Sequence, residues 1–164
     1  MVRLEKVDAL NLWDVIGLKV KRGQKSFVAP NDLSILEAYV SEGTGCSAFP
    51  FAIKNGKRVV GFLMIGFNEA ALYELDGAEP PKALVNNYSL WRLMIDKRYQ
   101  GRGYGREAVA LALDFVRSFP CGKAEYCEVS YEPENETAAK LYHSFGFVEN
   151  GKKDGDELIA LLKL

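Results

Sequence analysis

Chemistry concentrates first at Tyr99-Gln100-Gly101-Arg102-Gly103-Tyr104-Gly105-Arg106. Its glycines remove the β-carbons that would block a ligand, and the first unpaired amides of a following helix face whatever sits there. Such a turn is built to hold phosphate, and pyrophosphate is its natural guest. A dinucleotide fingerprint would need a glycine where Arg106 stands, and the phosphate loop of nucleotide hydrolases would end in Gly-Lys-Ser/Thr; neither is present.

Other chemistries have less to work with. Cys46, Cys121 and Cys127 are odd in number and lack close metal-ligand spacing, so reduced structural thiols are expected, with no metal and no disulfide framework. His143 is the only histidine, so a Ser-His or Cys-His machine would have to be built on it. It lies off the apolar stripe of its helix, beside Lys140 and Glu136, which argues for a solvated ring. A net charge of −1 gives no electrostatic footprint for nucleic acid. The 164 residues, 48% hydrophobic and 26% charged, suit a single domain spanning 1–164. No run is long enough to cross a membrane, and residues 1–6 mix acid and base where a signal peptide would be apolar. A cytosolic (cytoplasmic) protein with a small-molecule partner is the expectation.

Elements must hold the glycine turn in place. Residues 88–95, rich in Leu, Trp, Met and Ile, read as the strand entering it, and a helix over 103–119 leaves it. Ala108, Leu111, Ala112, Phe115, Val116 and Phe119 lay one apolar stripe along that helix. Residues 125–131 read as a strand with Cys127, Val129 and Tyr131 on one face and Tyr126, Glu128 and Ser130 on the other. Strand, loop, helix and strand make a βαβ unit, so the two strands should run parallel. Upstream, 2–7 alternates as a first strand, and Asp8 caps a helix through about Val15. Asn31 caps a second helix with Leu33, Leu36, Ala38 and Val40 as its apolar positions. Asn55-Gly56 turns a hairpin between 49–54 and 58–67. Residues 68–87 read as a long loop with acids at 69, 74, 76 and 79. Downstream, Ala138, Leu141, Tyr142 and Phe145 stripe a helix over 136–144 that Gly146 closes, and 147–150 and 157–164 are strands around a charged turn. Arg92, a charge in a central strand, must face water, a partner or a site.

Gln100-x-x-Gly103-x-Gly105 resembles the acetyl-coenzyme A loop of the GNAT family of N-acetyltransferases. Asn135-x-x-Ala138-x-x-Leu141-Tyr142-x-x-Phe145-Gly146-Phe147 looks like that family's fourth-helix motif, at the expected separation, and the likeness covers 88–147. Phe27-Val28-Ala29-Pro30-Asn31, with Tyr131-Glu132-Pro133-Glu134-Asn135, is further similar to the bacterial spermine/spermidine (diamine) acetyltransferase branch. The resemblance implies a mixed α/β GNAT fold: a mostly antiparallel sheet of about six or seven strands, a splayed parallel pair formed by the fourth and fifth, and about four helices. It implies direct transfer of acetyl from acetyl-CoA to a primary amine of a small cationic substrate, such as spermidine or spermine, in a ternary complex. Leu93, Met94 and Ile95 would line the acetyl and pantetheine through their backbone. Gly101, Arg102, Gly103, Tyr104, Gly105 and Arg106 would hold the pyrophosphate, with Gln100 bracing the loop. Asn135 would bond the pantetheine arm and can also cap its helix. Tyr142 matches the general acid, although on an apolar stripe a tyrosine ordinarily serves the core. The same fold could acetylate an aminoglycoside, an amino acid or a protein amine, or serve as a non-catalytic acetyl-CoA sensor. Dimers are common in such a family; the sequence gives no oligomeric state.

The reaction needs a neutral amine, whereas an alkylammonium has a pKa of about 10.4, and its departing thiol has a pKa of roughly 8.5. Polyamine enzymes carry a glutamate on the strand before the loop, but here that stretch reads Leu90-Trp91-Arg92, so the base is unassigned. Glu37, Glu74 and Glu128 are candidates beside a water chain, and Trp91 and Arg92 join them on the acceptor side. Glutamates at 125, 128, 132, 134 and 136, with no Lys or Arg over 125–139, would concentrate a cation. Glu134 and Glu136 equally suit a helix N-terminus.

Overall fold

The computed structural model describes residues 1–75 and 77–164. Strands β1 (Val2–Lys6), β2 (Ser47–Asn55), β3 (Arg58–Phe67), β4 (Tyr88–Ile95), β5 (Tyr126–Tyr131), β6 (Val148–Asp154) and β7 (Glu157–Lys163) form one sheet in the order β1-β2-β3-β4-β5-β7-β6. Every neighbouring pair is antiparallel except β4–β5, which are joined by the crossover helix α4 (Tyr104–Arg117). The mixed α/β architecture is the expected one. The parallel pair registers only Tyr88 against Cys127 and Ser89 against Glu128. Beyond them the strands splay, so from Leu90 onward β4 is paired only with β3. This fork dominates the functional geometry.

Each face of the sheet buries a different cluster. On one, α4 and α5 (Glu136–His143) pack over Leu63, Ile65, Tyr88, Leu90, Val129 and Phe147. On the other, α1 (Leu12–Gly17) and α2 (Asn31–Ser41) cover Ala52, Phe62, Met64 and Met94. Phe62, Leu63, Met64 and Ile65 are all wholly buried, because β3 is sandwiched between both layers; each such side chain contributes roughly 1.5–3 kcal/mol. Tyr88 ties the layers of the βαβ unit together: its hydroxyl donates to Gly122 O at 3.0 Å and accepts from Cys121 N at 2.9 Å. The fully buried line of α4 is Ala108, Val109, Ala112, Leu113 and Val116, so Leu111, Phe115 and Phe119 flank the contact rather than centre it.

Several local expectations shift. Asp8 Oδ1 accepts from the amides of Leu10 and Asn11, making a turn of its own, and helix α1 begins only at Leu12. Asn31 lies inside α2 behind Pro30 and is not its cap; its buried amide donates to Val15 O at 2.8 Å, pinning α2 to α1. That helix buries Asn31, Ser34 and Ser41 and exposes Leu33, Leu36 and Val40, so of the expected apolar positions only Ala38 packs against the core, beside Ile35. Asn55 pairs with Arg58, so the hairpin turn is Gly56-Lys57, one residue later than expected. The stretch 68–87 is not simply loop: it holds α3 (Ala70–Leu75), a fifth helix, and a turn of 3-10 helix at Lys82–Leu84. Acid 76 lies outside the described residues. Strand β6 runs through the charged segment to Asp154, with an irregularity between Glu149 and Lys153, leaving a tight turn before Glu157. Among the described residues no helix is long and apolar enough to cross a membrane.

Candidate active site

Where β4 ends, the chain turns into α4 through Gly101 (φ 77°) and Gly103 (φ 82°), both in the left-handed region. With that backbone, the consecutive N–H groups from Gly101 through Arg106 have no acceptor among the described residues. They converge on the positive end of a 14-residue helix, an anion cradle of backbone donors. Side-chain hydrogen bonds fix it. Gln100 Nε2 donates to Ile95 O at 2.9 Å and Gln24 Oε1 at 2.8 Å, and Tyr104 OH accepts from Asn55 Nδ2 at 2.8 Å. Asp96 accepts from Lys19 N and from Arg98 N and Nε. Burial opposes its charge, but Arg98's hydrogen bond and the two amides outweigh it and hold the carboxyl below its ordinary value. Arg106 donates to Ser144 Oγ and lies over Phe145, joining α4 to α5. The Arg102 side chain turns outward over Tyr99, so only its backbone belongs to the cradle.

A cleft of about 800 Å³ runs from this cradle through the fork. Leu93, Met94, Ile95, Gln100, Gly101, Gly103, Tyr104, Gly105, Arg106, Asn135 and Tyr142 all line it, so the two sequence motifs meet in one cavity. The splayed edge of β4 presents backbone groups there that no strand pairs. Asn135 caps α5, accepting from Ala138 N at 3.2 Å. Tyr142 is 5% exposed, stacked on Tyr131 and edge-on to Phe147, and its hydroxyl has no partner among the described residues. Burial, reinforced by the negative charge of Glu128, pushes its phenol well above the usual value, so it stays protonated.

Beyond the fork the lining changes character. Between Ser89 and Arg92, β4 has one residue more than β3 has between Gly66 and Met64, a β-bulge. It sets Trp91 and Arg92 on the same side as Met64 and Met94, away from α4. Arg92 bonds Glu37 Oε2 at 3.1 Å and Trp91 O at 2.8 Å, and its buried Nε has no partner among the described residues. Next to it lies a side chamber of about 200 Å³ lined by Glu69, Tyr73, Glu128, Ser130, Asp154 and Glu157 as well as Trp91 and Arg92. Glu69 is held by Ser89, Asp154 by Tyr73 and Glu157 by Ser130. Gly66 makes room for the first of these, since a β-carbon there would sit 2.6 Å from Ser89 Oγ. Burial raises the Glu69 carboxyl to about 8 against the pull of Arg92, with Asp154 and Glu37 adding to the rise.

Of the residues expected on the acceptor side, Trp91, Arg92 and Glu128 line the side chamber and Glu37 is joined to it only through Arg92, whereas Glu74 is exposed on α3 and lines neither cavity. Of the glutamates over 125–136, only Glu128 reaches it; Glu136 pairs with Lys140 along its own helix. Glu69, Asp154 and Glu157, missed by sequence reasoning, arrive from α3's approach and the β6–β7 turn. The one available signal is the place of Glu69, two residues after the uninterrupted apolar run from Val59 to Phe67. Cys46, Cys121 and Cys127 are free thiols; burial pushes Cys46 up to about 12 and Cys127 higher still, which disfavours a nucleophilic thiolate. His143 is half-exposed, 3.2 Å from Tyr131 OH and 3.5 Å from Glu149, outside the cleft.

Comparison with known proteins bears on this geometry. A model of the acetyltransferase (GNAT) family matches residues 21–147. Over 87 residues the chain is 40% identical to α/β-tubulin N-acetyltransferase 9 of Drosophila melanogaster, covering 52% of this chain and 40% of that protein. The matched stretch therefore spans about two fifths of that relative's length. Among solved structures, the GNAT domain of S. lividans PAT superposes with a TM-score of 0.71 at 14% identity, over 99% of this chain and 90% of that one. Spermidine N-acetyltransferase from Vibrio cholerae, in complex with CoA and spermine, gives 0.65 at 16% identity, over 99% and 94%. At such identities these structures speak for the fold.

Proposed function

The chain belongs to the acetyltransferase (GNAT) family, and from that membership we propose that it transfers acetyl from acetyl-CoA to an amine of a small cationic molecule, a polyamine such as spermidine or spermine foremost. The observation that carries this reading is the single cleft joining the amide cradle to the unpartnered Tyr142 hydroxyl through the β4–β5 fork.

Acetyl-CoA supplies an activated acetyl thioester. The residues fit it: the amides of Gly101 through Arg106 suit a pyrophosphate, and Gln100 fixes the loop by its two hydrogen bonds. The unpaired edge of β4 along Leu93–Ile95 offers a backbone N–H, alternating with those that face β3, for a carbonyl oxygen that gains negative charge. Tyr142 holds a proton at its hydroxyl, close enough to the cleft to give it to a departing thiolate. The amine enters from the side of Trp91 and Arg92, where carboxylates outnumber cations and favour a positively charged acceptor.

Release of free coenzyme A thiol, followed over a panel of amines, tests the proposal. Turnover of spermidine or spermine well above background is expected; none with either would remove the polyamine assignment. The 40% identity to a tubulin acetyltransferase favours a second reading, a protein amine, which peptides with free amino groups in the same panel would reveal. Binding of CoA without turnover of any amine would point to a sensor.

A further inference from the structure

The side chamber is more than an acidic patch, because one of its acids is unsatisfied. Glu128 is 6% exposed, projects from β5 on the face opposite Cys127 and Val129, and lines the chamber. Among the described residues its carboxylate has no hydrogen-bond or ion-pair partner, whereas Glu69, Asp154 and Glu157 each have one. A carboxylate only 6% exposed and without a protein partner is costly to ionise, and among the described residues the chamber's one cation, Arg92, is engaged by Glu37. The carboxyls do not converge as a metal site would require. What fits four acids spread around about 200 Å³ is a cation with several donors and a slender apolar stem.

We propose that this chamber is an ammonium subsite: it takes one protonated amino end of a di- or polyamine, with Glu128 as the carboxylate that meets it, while another amine of the same molecule lies in the cleft at the fork. Leu84, Leu90 and the Trp91 ring supply the apolar wall for the methylene stem. The subsite rests on the amine-acetyltransferase reading for its occupant and names the feature of the acceptor that the enzyme selects, a second positive charge at a fixed distance. Burial, then Glu69, Asp154 and Glu157, raises the Glu128 carboxyl, and an ammonium beside it would lower it again, which couples binding to release of a proton. The charged and titratable groups facing it are Glu69, Tyr73, Arg92, Asp154 and Glu157.

Calorimetric titration of the protein–CoA complex with 1,4-diaminobutane, spermidine and butylamine near pH 7 tests this without requiring turnover. The diamine should bind at least about tenfold more tightly than butylamine, with proton release seen as a dependence of the heat on buffer. The near-isosteric Glu128→Gln should close most of the gap and diminish the proton release, its unchanged melting temperature and CoA affinity showing that it is folded. Equal affinity for diamine and monoamine in the wild type overturns the subsite, and so does a gap that survives Glu128→Gln. Displacement of the diamine by magnesium ion would assign the chamber to a metal instead. Thiol release separates the two readings. Turnover of amines without a diamine preference refutes the subsite alone, and a Glu128-dependent diamine preference without any turnover refutes acetyl transfer alone.

Discussion

Tyr142→Phe isolates a single oxygen atom. The ring is held by Tyr131, with centroids 5.8 Å apart, and by Phe147 at 5.7 Å, and phenylalanine preserves both contacts. The hydroxyl makes no hydrogen bond with the described residues, so removing it breaks no bond and orphans no partner; the change in stability should stay below about 1 kcal/mol. Catalysis should respond very differently. A positioned general acid contributes about 10²- to 10⁴-fold, and at 1.36 kcal/mol per tenfold that is roughly 3–5 kcal/mol of transition-state stabilisation. Because burial raises this phenol above its ordinary value, ionisation of Tyr142 should not limit the wild-type rate anywhere below about pH 10. The assay is steady-state thiol release with saturating acetyl-CoA and amine, alongside a thermal melt and CoA affinity by calorimetry. A kcat within about threefold of wild type would refute the acid role. A parallel collapse of kcat, melting temperature and CoA affinity would mean that the ring, not the oxygen, is what matters.

Three further perturbations test other parts of the structure. Gly103→Val places a β-branched residue at φ 82°, which costs about 1–2 kcal/mol in backbone strain alone; CoA affinity should fall at least about tenfold by calorimetry, and an unchanged Kd would remove the cradle from the site. Glu69 has a folded pKa of about 8 against roughly 4.3 unfolded, chiefly through burial, so its folded state binds the proton more tightly. Its contribution to stability is full below about pH 4.3 and is lost as pH rises through about 8. Glu69→Gln should therefore gain melting temperature relative to wild type at pH 8.5 but not at pH 4.5, and equal differences at both would contradict the buried acid. Tyr88→Phe removes the hydroxyl shared by Gly122 O and Cys121 N and should cost about 1–3 kcal/mol in urea unfolding; no loss would show that the end of α4 is held by something else.

The parts of the fold read correctly from sequence are those set by local chemistry. Glycines at 101 and 103 take left-handed backbone that few other residues tolerate, and the βαβ unit they belong to has only one sensible handedness and direction. At the other end of the site, Gly146 N and Phe147 N close α5 onto His143 O and Tyr142 O, the pattern a glycine after an apolar stripe announces. The misreadings come from contacts distant in sequence. Nothing local to α2 says that Asn31 will find Val15 O, so its leucines were assigned to the core while its amide and hydroxyls occupy it. Glu69 reads only as one acid of a long loop because its partner, Ser89, lies twenty residues away across the β3–β4 pair. Glu128 was placed on the correct face, but the alternation of a strand cannot reveal that the facing acids come from a separate hairpin.

The extra residue in β4 gives the fork a phase. Side chains alternate along a strand, yet Trp91 and Arg92 stand on the same side, so everything from Leu93 onward is half a period out of step with Tyr88 and Ser89. Leu93 and Ile95 consequently point toward α4 and Met94 toward α1 and α2. Substitution within 90–92 alters the lining of the side chamber and leaves this phase alone. Deleting one residue there would invert it, turning the cleft-facing edge inside out while every remaining side chain kept its identity.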